Sequence, residues 1–127
     1  MAATFTPSWT VTQELHASSS VANAGTATDS LNLATLGYYE VDAQIQITPA
    51  TTPSGDVLIE AFGSVDAGTS ADTVPLTQRR LTFTTTAVQR ISIPGLRGPY
   101  VSIRITNSTG VSVTYVGRYA GLQQVSA

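Results

Sequence analysis

His16, the serines Ser18, Ser19 and Ser20, and Asp29 are the residues whose types could run nucleophilic chemistry. A hydroxyl would attack, an imidazole would take its proton and a carboxylate would orient the imidazole. His16 is the sole histidine, so it alone could serve as the base. No glycine frames a serine in the manner of a nucleophile elbow, and no catalysis is expected. With no cysteine and one histidine, a conventional zinc site is excluded, and with no lysine so is Schiff-base chemistry. Asp66 and Asp72 flank a short loop that could offer oxygens to calcium, but the spacing lacks the EF-hand order, and turn-stabilising roles are expected. Glu40, Asp42 and Glu60 are placed on a shared outward face, where paired carboxylates are ordinarily just solvated; a glycosidase would also need a cleft. Asn107-Ser108-Thr109 fits the N-glycosylation pattern, and turn chemistry explains the same three residues. No cofactor and no metal is expected.

What remains are groups suited to recognition. Trp9, Tyr38 and Tyr100 are read as outward aromatic anchors for a partner or a sugar, while Tyr39 and Tyr115 are assigned to the core. Arg79, Arg80, Arg97 and Arg118 could pair bidentately with a neighbour's carboxylates, although solvated surface is the commoner role for each alone.

Composition narrows the class further. The chain has 127 residues, six arginines, eight acids and a net charge of −2, which argues against nucleic-acid coating. Only 11% of residues are charged, whereas 20 Thr and 13 Ser supply small hydroxyls. A free soluble domain carries roughly a quarter charged residues, so this surface suits burial against other subunits. No apolar run approaches the roughly 20 residues that span a bilayer, and residues 1–7 lack the pattern of a secretory signal. Synthesis in a cytoplasm is expected, and both chain ends are expected to dock on a neighbour.

The elements that must position these residues read as strands. From Tyr38 to Thr48, Tyr39, Val41, Ala43, Ile45 and Ile47 alternate with Tyr38, Glu40, Asp42, Gln44 and Gln46, the pattern of a half-buried strand. Residues 4–15 predict a first strand or arm with Phe5, Trp9 and Val11 as anchors. Residues 16–28 predict a low-complexity loop, and residues 29–36 a return to alternation. Pro53, Ser54 and Gly55 predict a turn between antiparallel strands, and Val57 to Val65 a central strand with a bulge or close backbone approach at Gly63. Strands follow over 80–86 and 88–93, then a tight loop around Leu96 and Arg97. The clearest hairpin pairs 100–106 with 111–119 through Asn107 to Gly110. The prolines fall at or near strand margins, and no helical period is evident. The expectation is one all-β domain over 1–127, a two-layer antiparallel β-sandwich, jelly-roll or immunoglobulin-like, of seven to nine strands. Within it, residues 1–28 would form an extended N-terminal segment and 29–127 the core.

The runs VLIEAFGSVDAG at Val57 to Gly68, Pro75-Leu76-Thr77, and TYVGRYAGLQ at Thr114 to Gln123 together resemble small virion proteins of tailed bacteriophages. The likeness covers about the last 70 residues, and the Ser/Ala/Thr-rich first quarter departs from it. It implies a β-sandwich assembling on a particle as a capsid decoration (cement) protein, or as a tail or neck component. It supplies no catalytic residues. The function expected is a non-enzymatic virion protein, homo-oligomeric, bound to the major capsid protein or other virion subunits, with no nucleic acid or membrane partner. The alternative is a carbohydrate- or receptor-binding sandwich module of a fibre.

Overall fold

The computed structural model describes residues 5–65 and 74–126. Among them nine strands and one short helix follow in order: β1 (Phe5–Trp9), β2 (Gln13–Val21), β3 (Thr26–Asn32), α1 (Leu33–Leu36), β4 (Tyr38–Pro49), β5 (Gly55–Ser64), β6 (Thr77–Phe83), β7 (Gln89–Leu96), β8 (Tyr100–Ser108) and β9 (Val113–Ser126). One sheet runs β1-β9-β4-β7, with β2 also on β9; the other runs β3-β8-β5-β6, and every pairing is antiparallel. The protein is an all-β, two-layer antiparallel sandwich.

The pairing is nested. β5 pairs with β6, β4 with β7, β3 with β8 and β2 with β9, as in one long hairpin wound round a sandwich. This is the eight-stranded jelly-roll order, with β1 added beside β9, and it removes the immunoglobulin-like alternative. It also overturns the expected terminal hairpin. β8 and β9 lie in opposite sheets, so Asn107 to Gly110 carries the chain between layers. The Pro53-Ser54-Gly55 turn is likewise a crossover, from β4 in one sheet to β5 in the other.

Alternation supplies the core. Val41, Ala43, Ile45 and Ile47 of β4, Val57, Ile59 and Ala61 of β5, Val101, Ile103 and Ile105 of β8, and Tyr115 of β9 are all buried in one cluster between the sheets. The neighbours of β5 on both sides make it central, as expected, but its register with β8 runs through Gly63 unbroken, so there is no bulge there. At the start of β4 the alternation changes phase. A register shift between Tyr38 and Glu40 turns Tyr38 toward the core, edge-on to Tyr119 with centroids 6.3 Å apart, and leaves Tyr39 exposed. Tyr39 is therefore not a core residue, and Tyr38 is not an outward anchor.

The first quarter differs most from expectation. Residues 13–21 and 26–32 are strands, and β3 runs straight across residue 28, where a boundary was expected. Two register shifts in β2, between Glu14 and His16 and between His16 and Ser19, break its side-chain alternation. Val11 is exposed and anchors nothing. β1 and the end of β9 pair with each other, Phe5 opposite Ser126. β7 continues through the expected loop to a buried Leu96, with Pro94 and Gly95 at a bulge opposite Asp42. The expected loop at Asp66 to Asp72 lies outside the described residues.

Candidate functional site

Three places gather polar groups. The first lies at the open side of the sandwich, where β2 of one sheet passes β3 of the other. His16 Nδ1 lies 2.9 Å from Asp29 Oδ1, and His16 Nε2 lies 2.5 Å from Ser19 Oγ. Asp29 Oδ2 accepts a hydrogen bond from Tyr115 at 3.1 Å, and the His16 ring stacks on that tyrosine at 4.1 Å. Burial, then the nearby Asp29 charge and hydrogen bond, push the Tyr115 phenol far above its ordinary range. Serine, imidazole and carboxylate thus meet in the order of a triad. The β2 bulges bring Ser19 and His16 to one side of an edge strand, an arrangement that the expected loop did not contain. Of the serines beside His16, Ser18 lines one of the surface grooves described below. The geometry ties the two sheets together.

The second place is the corner where β2 turns into β3. Asn107 is fully buried; its Nδ2 donates to the carbonyls of Val21 and Val111, and its Oδ1 accepts from the Thr109 N–H and hydroxyl. This side chain has no amide free for a glycan, so the sequon is structural. Gly110, at φ +81°, completes the turn.

The third is the outer face of the five-stranded sheet. Register sets Trp9, Leu122 and Glu40 in one row, then Ala120 and Asp42, then Glu14, Arg118, Gln44 and Ser92, then Val116, Gln46 and Arg90. Arg97 Nε donates to Glu40 at 2.8 Å, Arg90 Nε to Gln46 at 2.9 Å, and the Gly95 N–H to Asp42 at 2.9 Å. Two shallow grooves of about 240 and 300 Å³ meet at Thr12 and Arg118. The larger continues along Glu14 and Val116, the smaller along Asp42, Gln44 and Ser92.

The expected interface residues therefore divide. Trp9, Arg97 and Arg118 share the outer face just described. Arg79 and Arg80 lie on β6, at the edge of the other sheet, where Arg80 pairs with Asp56 at 3.0 Å and holds its carboxyl below the usual range. Tyr100 is half-buried, its hydroxyl accepting from Asn32 Nδ2 at 3.2 Å, so it too is not a free anchor. Glu40 and Asp42 share a face, but Glu60 belongs to the other sheet, clamped by Arg104 at 2.8 Å and Gln78 at 3.2 Å. Sequence reasoning missed Tyr39, because the bulge that exposes it leaves no mark in the alternation. It also missed Gln44 as a groove residue; its outward register was readable, the groove was not. Among the described residues no group of three or more His, Cys, Asp or Glu is placed to hold a metal.

No protein-family model and no curated protein matches the chain. Several solved structures share its fold. A segment of tripeptidyl peptidase 2 superposes with a TM-score of 0.55 at 7% identity, over 82% of this chain and 9% of that one. PirA gives 0.50 at 13% identity, over 87% and 95% of the two chains. The K3 adhesin domain of Lys-gingipain from Porphyromonas gingivalis gives 0.50 at 12% identity, over 74% and 63%. At such identities the likeness is one of β-sandwich fold.

Proposed function

We propose that this β-sandwich is a non-catalytic structural subunit of a phage particle. It docks on a repeating protein lattice as a capsid decoration protein and works as a homo-oligomer. The observation that carries the reading is β6. This seven-residue edge strand has no second strand partner among the described residues, runs in unbroken register with β5, and contains neither proline nor bulge. Natural sheets protect such edges, because a regular row of unpaired N–H and C=O groups templates pairing with another chain. Beside it stand exposed Val65, Val74 and Leu76, the last two 73% and 52% accessible. An open edge beside an apolar patch suits a partner better than water, and the low charge of the chain agrees.

A stable contact of this kind buries at least about 1,000 Å² in total. Co-sedimentation with purified particles tests the reading. The wild type is expected to pellet with the particle, and the Val74→Asp/Leu76→Asp double variant to stay in solution with unchanged melting temperature. Equal pelleting of both proteins, or of neither, would sink it.

A further inference from the structure

The outer face of the five-stranded sheet is not needed for that docking, and it is built unlike an interface between proteins. Protein contacts centre on apolar, uncharged residues and put the polar ones at the rim. Here the middle is polar and the aromatic rings stand at one end. Trp9 and Tyr39 are 47% and 49% exposed, their backbones on either side of Leu122, about two strand spacings or roughly 10 Å apart.

The charges on this face largely cancel one another. Glu40 holds Arg97, and one oxygen of Asp42 is occupied by the Gly95 N–H. Gln44 and Arg118, directly opposite each other where the grooves meet, make no side-chain hydrogen bond within the described residues. The Asp42 carboxylate, the Gln44 amide and the Arg118 guanidinium follow the exposed indole of Trp9 along the strands, two to four residues on; together they offer donors and acceptors for hydroxyls and an apolar plate for C–H groups, with little net charge to attract an ion. The grooves are shallow and lie end to end, at or below the low end of small-molecule pockets, which run roughly 300–1,000 Å³. An extended chain laid along the sheet fits them better than an enclosed compact ligand.

We propose that this face binds a neutral oligosaccharide, with Trp9 stacked on one sugar ring and Asp42, then Gln44 and Arg118, hydrogen-bonding the hydroxyls of rings successively further along the strands.

Trp9 is the only tryptophan, so its fluorescence reports occupancy of the site directly. The full-length chain is titrated with cello-, malto-, laminari- and N-acetylchito-oligosaccharides to about 10 mM, enough to saturate a site with Kd near 1 mM. At least one is expected to give a saturable change in Trp9 emission, matched by calorimetry. Gln44→Ala and Arg118→Ala are expected to weaken it about tenfold without moving the melting temperature, as loss of a hydrogen bond to ligand would do. Val74→Asp/Leu76→Asp should bind as the wild type does, which separates this site from lattice docking. The proposal is overturned by no saturable change with any of these sugars. Binding that survives both single substitutions, or binding confined to an anionic polymer such as heparin, overturns it equally.

Discussion

Asp29 shows how much one carboxylate can organise. Its two oxygens serve two rings on two other strands, His16 of β2 and Tyr115 of β9, and so join the sheets along a side that no ladder closes. Asp29→Ala would strand the buried Tyr115 hydroxyl as well as free His16, a loss of about 1–3 kcal/mol readable by urea denaturation. The same contact sets an alkaline limit. Because the folded chain holds the Tyr115 proton well above the ordinary phenol value of 10.0, the unfolded chain releases it first. Stability is therefore intact below about pH 10 and falls as pH rises past it. Tyr115→Phe should flatten that decline while costing about 1 kcal/mol at neutral pH, and an unchanged alkaline slope would contradict the assignment. The residues of this cluster were legible in the sequence as types, since His16 is unique and Asp29 near. Their meeting was not, because it depends on two bulges that a period-two reading cannot see. We propose that the cluster is a clasp and not a catalyst; wild-type protein should release no nitrophenol from p-nitrophenyl acetate beyond the buffer rate, and turnover abolished by His16→Ala would refute that.

Among the elements, β4 was the easiest to read and is also the most instructive. From Val41 onward every expected inward residue is buried, whereas two residues earlier the phase is reversed. The reversal has a physical cause on the neighbouring strand. Tyr38 lies over Gly121, and a β-carbon there would come within 2.5 Å of its ring. Gly121→Ala should therefore push Tyr38 out of its place against the core at a cost of about 1–3 kcal/mol. In the Tyr38→Ala background the same change should cost far less, and a double-mutant cycle showing no coupling would rule out this account of the bulge. Gly55 marks another close approach, its missing side chain admitting the Ser108 carbonyl where β5 begins. β2 was unreadable for the opposite reason: a bulged edge strand of Ser, Ala and His has neither alternation nor β-rich composition to reveal it.

For the whole molecule, class and strand count followed from alternation and turn residues, but topology did not. In a jelly roll most sequence neighbours lie in opposite sheets, so turn chemistry at Asn107 to Gly110 signals a crossover as readily as a hairpin. Nothing local distinguishes them, since both need a tight reversal and a residue at positive φ. Among the described residues the wound topology leaves two unlike surfaces, a β6 edge with no second strand partner beside Val74 and Leu76 and a polar sheet face ending in Trp9. We assign the first to assembly and the second to recognition. The proposal that the chain is a lattice-binding oligomer is tested most directly by mass. Sedimentation velocity at micromolar concentration, alone and mixed with purified particles, should show an oligomer that transfers to the particle fraction in a fixed ratio to the shell subunit. A strict monomer that never enters that fraction would contradict it.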